Sequence, residues 1–203
     1  MNIRLHRGDL PADLKFGPVL AVDTETMGLN PMRDRLCLVQ LSTGDGNCDL
    51  VQISRGAREA GNLKRLLEDR SVLKLFHFAR FDVTALRHHL GIDCRPVHCT
   101  KIASRLVRTF TDRHGLKDLC KDLLGIELSK QQRTSDWGAE ELSAEQLRYA
   151  ASDVLHLHAL KSKLDVMLER ESRVELAQSC FAFLPTRAEL DLGGWSDPDI
   201  FAH

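Results

Sequence analysis

The sequence predicts an α/β fold, a mixed central β-sheet of about five strands flanked by helices, with a helix-rich carboxy-terminal part. Short apolar, β-prone runs fill the first half of the chain, and two of them, 36–41 and 48–53, are joined by the turn-forming TGDGN. The second half is dominated instead by apolar residues recurring every three or four positions. At 203 residues, 43% hydrophobic and 28% charged, the chain is expected to form one domain over 1–203, with its core at about 19–168 and helices and tail over 169–203.

Val19 to Val22 reads as a buried strand whose carboxyl end carries Asp23 and Glu25, and Gly28-Leu29-Asn30-Pro31 breaks it. Leu36 to Leu41 and Cys48 to Ile53 follow as an antiparallel hairpin. Ser54 can cap a helix running to about Glu68. Val72 to Phe76 gives a fourth strand, Ala79 to His89 a helix ending at Gly91, and Arg95 to Cys99 a fifth short strand. Asp82 then falls in the first turn of a helix. Further on, Ser143 and Gln146 stand in capping-box spacing, and Leu147, Ala150, Val154, Leu157, Leu160, Leu164 and Met167 form one apolar stripe. Tyr149 and Asp153, four apart, lie one turn from each other beside that stripe. The tail GGWSDPDIFAH has loop chemistry with apolar Trp195, Ile200 and Phe201, which suits docking on its own domain or on a second subunit.

The amino terminus has no apolar h-region and no stretch long enough to span a bilayer, so a soluble, cytoplasmic protein is expected. Six scattered cysteines without a CxxC pair suit reduced thiols; a zinc site around Cys94, His98 and Cys99 lacks a second ligand pair. The formal net charge of −1 conceals a gradient: residues 100–133 carry eight Lys/Arg against four acids, and residues from 134 onward six against thirteen. The basic stretch is compatible with a phosphate backbone as partner, and equally with solvated helix faces.

Four acids attract notice: Asp23 and Glu25 in VDTET, Asp82 in HFARFD, and Asp153 in YAASD with Tyr149. Strand alternation points residues 23 and 25 to one side. Hard divalent cations need several oxygen ligands, which separate elements can supply. Each piece alone also has a plain structural reading: solvated acids at a strand exit, an aspartate facing a helix dipole, a hydrogen-bonded core His77. Bare acids therefore imply divalent-metal binding and no more.

In order and element type, these residues resemble the DEDD superfamily of 3′–5′ exonucleases, which share a ribonuclease-H-like fold. Its histidine branch places His where Arg148 stands; its tyrosine branch places Tyr where Tyr149 stands. Within that branch the chain is similar to ribonuclease D. HGLKDLCKDLLGIEL (114–128), LSKQQRTSDW (128–137) and ELSAEQLRYAASDV (141–154) carry the likeness, which extends from about Val19 to Leu168. Phe78 departs from it, standing where members often carry Asn or Asp. Longer ribonuclease D proteins append helical HRDC domains, for which this chain has no room, so a minimal catalytic domain with less grip on structured RNA is expected.

The resemblance implies that Asp23 bridges two Mg²⁺ or Mn²⁺ ions, that Glu25 and Asp153 complete one site and that Asp82 supports the other. It implies an attacking water placed by the Tyr149 hydroxyl, since a phenol with its usual pKa of about 10 is a poor base at neutrality. Products would be nucleoside 5′-monophosphates. Met27, Gly28 and Leu29 would hold the terminal nucleotide, with Leu29 as a wedge between bases, against the alternative of a β-turn with a core-facing Leu. His77, Lys117, Lys130 and Arg133 are candidates for phosphates, and Trp137 is favoured for core packing over stacking. The leading expectation is an exoribonuclease trimming single-stranded 3′ ends of tRNA or other structured RNA. A DNA exonuclease of the same superfamily is the runner-up, and a silent nucleic-acid-binding module the third reading.

Overall fold

A computed structural model describes residues 2–128 and 135–201. Six strands form one mixed sheet: β1 (Asn2–Arg7), β2 (Val19–Thr26), β3 (Leu36–Ser42), β4 (Asn47–Gln52), β5 (Leu73–Phe76) and β6 (Val97–Cys99), in spatial order β1-β4-β3-β2-β5-β6. The expected hairpin is present, since β3 runs antiparallel to both β2 and β4; β5 and β6 continue the sheet parallel to β2. β3 is buried along its whole length, as its unbroken apolar run requires, and β2 lies between it and β5.

The sixth strand is the one that periodicity missed. β1 pairs parallel with β4 at the sheet edge, and its sequence NIRLHR alternates without a strongly apolar face. Its register is fixed by polar chemistry: Arg4 donates twice to the buried Asp49 carboxylate, at 2.8 and 2.6 Å, and His6 Nε2 lies 2.7 Å from the same group. Lys74 was equally invisible. Its side chain is fully buried in β5, and the ammonium donates to the carbonyls of Asp69 and Arg95 at 2.7 and 2.6 Å.

Two helices begin or break elsewhere than expected. α1 spans Gly61–Glu68, not a stretch starting at Ser54, because its first N–H groups are capped by a remote carboxylate: Asp9 accepts from Asn62 N and Leu63 N at 2.8 and 2.9 Å. α2 (Ala79–Leu90) closes on Gly91 at φ 60°, the left-handed cap that glycine adopts readily. α3 (Thr100–Val107) and the short α4 (Leu116–Leu119) follow, and a π-turn at Cys120–Leu124 extends α4. The long apolar stripe belongs to two helices, α5 (Ala144–Leu155) and α6 (Leu157–Arg170), separated at His156. Both bury Val154, Leu157, Leu160 and Leu164 against one core, so the spacing survives the turn and cannot report it. α7 (Val174–Leu192) is the last helix among the described residues.

α5 packs across β1 to β4, and α2 contacts β2, β3, β5 and β6. One hydrophobic cluster runs from Leu10 to Ala188. None of the described helices is long and apolar enough to cross a membrane. The capping box at the start of α5 is complete: Gln146 N donates to Ser143 Oγ at 3.2 Å, and Ser143 N donates to Gln146 Oε1 at 2.8 Å. Ser143→Ala is expected to lower stability by about 1 kcal/mol in urea unfolding, the usual cost of a lost N-cap; an unchanged midpoint would show the cap to be idle.

Candidate active site

β2 delivers the first two acids. Its residues 23 and 25 share one side of the sheet and Thr24 points to the other. α5 brings Asp153 to the side of the acids, so that one carboxylate oxygen each from Asp23, Glu25 and Asp153 lie within 4.8 Å of one another. Asp82 arrives by a different route. In the first turn of α2 and 3% exposed, it accepts a 2.6 Å hydrogen bond from Thr24 Oγ1. The four acids thus converge on the middle of β2, with Asp153 joining the pair Asp23 and Glu25 and the fourth held through the intervening threonine. Among the described residues, Asp23, Glu25 and Asp153 form the only cluster of metal-ligating side chains, so Cys94, His98 and Cys99 do not assemble a zinc site.

The electrostatics of this convergence are unfavourable without a cation. Burial raises the Asp23 pKa well above the usual carboxylate range, and the charges of Asp82, Asp153 and Glu25 push it further. Burial also lifts Glu25 to about 9, with Asp153 and Asp82 adding repulsion. Asp82 rises to about 7 through burial, against which the hydrogen bond from Thr24 works, and Asp153 rises to about 7 through burial. Half-buried carboxylates that lie this close and repel one another fit a divalent metal site.

Around the acids, the structure adds a partner that sequence reasoning overlooked. Gln40 is paired across β3 with Asp23, and its fully buried amide donates to Asp23 Oδ2 at 3.3 Å. The alternation in LCLVQLS puts a polar residue in an otherwise apolar strand, which was the available signal. Tyr149 sits one turn before Asp153 on α5, its ring 6.1 Å from that of Trp137, and Trp137 is buried at 3% exposure as core packing requires.

The expected nucleic-acid contacts fall into three groups. Met27 and Leu29 emerge beyond β2, Leu29 at 84% exposure, so a core-facing Leu is ruled out there. A Cβ on Gly28 would lie 2.3 Å from the Asp34 carboxylate, which makes the missing side chain a packing need of this turn. His77 follows β5, with Nδ1 2.9 Å from Thr100 Oγ1; burial, with the charge of Lys101 behind it, lowers its pKa to about 3, so it is neutral and brings no charge to a phosphate. Lys117 is exposed on α4. Lys130 and Arg133 lie outside the described residues. Part of the basic surplus over 100–133 is neutralised internally, by the pairs Arg108–Asp122, Arg113–Asp118 and Lys121–Glu127.

Residues 8–169 match the sequence family described as 3′–5′ exonuclease, which spans most of the chain and both acid-bearing halves of the site. The chain belongs to this 3′–5′ exonuclease family. Among curated relatives it is 34% identical to ribonuclease D of Gluconacetobacter diazotrophicus over 84% of its own length, and 36% identical to DNA polymerase I of Aquifex aeolicus over 76%. It spans 43% and 25% of those two proteins. Among solved structures it is similar to Brucella melitensis NrnC with bound Mg²⁺, at 57% identity and a TM-score of 0.95, covering all of both chains. The NrnC structure bound to pGG gives 58% identity and a TM-score of 0.96, covering all of this chain and 99% of the other. The chain is thus similar to ribonuclease D and to NrnC, and it has the ribonuclease-H-like fold that the resemblance implied.

The raised pKa values set a pH dependence. A carboxyl whose pKa is higher folded than unfolded stabilises the fold when protonated, and that contribution is lost as pH rises through the folded value. In EDTA, the Tm is therefore expected to fall between pH 5 and 9, through about 7 for Asp82 and Asp153 and about 9 for Glu25. Mg²⁺ or Mn²⁺ should restore it most at the upper end, as any ligand of the folded state does. A metal-free Tm that holds or rises over that range would contradict the electrostatic account.

Proposed function

We propose that this enzyme is a divalent-metal-dependent 3′–5′ exoribonuclease that removes nucleoside 5′-monophosphates one at a time from RNA with a single-stranded 3′ end. The observation that carries the proposal is the cluster of Asp23, Glu25 and Asp153 oxygens within 4.8 Å, beside a buried Asp82. Likeness to ribonuclease D supports RNA as the polymer, with tRNA and other structured precursors as candidates. The pGG-bound NrnC structure, similar along the full chain, supports short oligoribonucleotides as substrates too. One domain over 1–203 is supported by the continuous core, and a reducing, cytoplasmic setting by six free cysteines.

Asp23, Glu25, Asp82 and Asp153 would hold the cations. Two Mg²⁺ or Mn²⁺ ions there would supply Lewis acidity toward the scissile phosphate and its leaving 3′ oxygen. Thr24 fixes Asp82 at 2.6 Å, and the Gln40 amide orients the Asp23 carboxylate from the neighbouring strand. Tyr149 directs its hydroxyl to the attacking water, in line with the bond to be broken. Met27, Gly28 and Leu29 receive the terminal nucleotide, and Lys117, Lys130 and Arg133 meet phosphates further up the strand.

A DNA exonuclease is the second reading, favoured by the likeness to DNA polymerase I. A silent binding module is opposed by the complete set of four acids. Asp23→Asn is expected to abolish stepwise shortening of 5′-labelled RNA while raising the metal-free Tm, because one of several repelling acids is neutralised. Shortening of neither pGG, single-stranded RNA nor matched DNA by the unaltered enzyme with Mg²⁺ or Mn²⁺ would overturn the exonuclease reading, and faster loss of DNA would install the second. Tyr149→Phe should lower kcat about tenfold or more with KM little changed. Unchanged kcat would remove the tyrosine from the chemistry.

A further inference from the structure

Phe78 is an aromatic residue in a place where the backbone disfavours it. At φ 72° and ψ 43° it occupies the left-handed region, as N-cap of α2. That region is populated mainly by Gly, Asn and Asp, and a bulky residue there is under strain. Burial does not offset the strain, since Phe78 remains 47% exposed. Strained residues of this kind collect where a ligand is handled.

Topology places it beside the chemistry. β2, β5 and β6 are parallel, so the carboxyl ends of all three lie along one edge of the sheet. Asp23 and Glu25 leave from β2, Phe78 follows β5 by two residues, and Lys101 follows β6 in the first turn of α3. Asp82 stands one helical turn after Phe78. The Lys101 ammonium lies 4.1 Å from the Phe78 ring centroid, backing one part of the ring and leaving the remainder to solvent. Exposed Met27 and Leu29 stand at the exit of β2 along the same edge.

We propose that Phe78 is a stacking platform for a nucleobase near the 3′ end of the substrate, held in place by its left-handed backbone and by Lys101 behind the ring. The proposal rests on the exonuclease reading and deepens it. Every base offers a π-face, so such a platform grips without reading sequence. The cation behind the ring adds attraction for the phosphate of the same nucleotide.

The test compares Phe78→Asn and Phe78→Tyr with the unaltered enzyme. Asn suits the left-handed backbone, so its Tm should be equal or higher, which separates lost stacking from lost folding. On single-stranded RNA, KM should rise about tenfold for Phe78→Asn, as for loss of one base–aromatic stack, with kcat within about threefold. Phe78→Tyr should keep KM near the unaltered value. Oligoribonucleotides abasic at one of the three 3′-terminal positions locate the base: one position should weaken binding to the unaltered enzyme and leave Phe78→Asn indifferent. The same contrast is read without turnover, by quenching of 2-aminopurine RNA in Ca²⁺, so an enzyme that cut no RNA would sink the exonuclease reading while this arm still decided on Phe78. Equal KM and equal quenching for Phe78→Asn, or the same abasic penalties in both proteins at every position, would overturn the platform.

Discussion

Mutual repulsion among closely gathered, poorly hydrated carboxylates is the constraint around which the rest of this structure is arranged. Asp23 is desolvated and also faces the charges of Asp82, Asp153 and Glu25. Left to itself, such a cluster would open toward water, because each acid gains hydration by moving away from the others. What prevents this is the stiffness of the elements that carry them. β2 is anchored by β5 at residues 19–21 and by β3 through the acids themselves, so Asp23 and Glu25 cannot move without breaking the β3 ladder. Asp153 rides on a helix whose start is closed by a reciprocal capping box and whose Ala150, Ala151 and Val154 are buried. In such a frame the carboxylates are ordered before any cation would arrive.

Thr24 has a role that follows from sheet geometry alone. Since alternate residues of β2 face opposite sides, the carboxylates at 23 and 25 cannot both reach α5 and hold α2. Thr24, pointing the other way, hydrogen-bonds Asp82 and so ties α2 to the strand. That hydrogen bond opposes the rise in the Asp82 pKa that burial produces. The threonine thus favours the ionised form of one acid and fixes its direction at the same time. A β-branched residue also suits a central strand, so the position satisfies propensity and site together.

How much of this was legible depends on whether the signal was local. The order of acids, the first-turn Asp82 and the capping box at Ser143 are all short-range patterns, and each stands where the sequence placed it, whereas the strand expected to end at Asp23 runs on to Thr26. β1 was hidden because its partner Asp49 is far along the chain and only Ile3 and Leu5 carry its apolar alternation. The start of α1 was misplaced for the same reason: Ser54 is a plausible local cap, but the cap that operates is Asp9, more than fifty residues earlier. Gln40 and Thr24 could be seen as polar residues in apolar strands, yet which acid each would meet depends on register and on helix placement, and neither is written in local spacing.

The helix beyond the family match bears on the same constraint. α7 begins at Val174, after the matched residues end at 169, and packs along α2. Arg80, two residues before Asp82, donates twice to Asp191 of α7 at 2.8 Å, and Asp191 also accepts from Arg187. Arg87, further along α2, pairs with Glu189 at 2.7 Å. Asp191 is 8% exposed, so breaking its pairs would leave buried charge uncompensated, a cost well above that of a surface ion pair. α2 is therefore held at its first turn from two directions, by Thr24 on the sheet and by Asp191 on α7. The repulsion that Asp82 feels from its neighbours is resisted by the whole thickness of the fold, and the helix added beyond the family match is part of the support for the acid cluster.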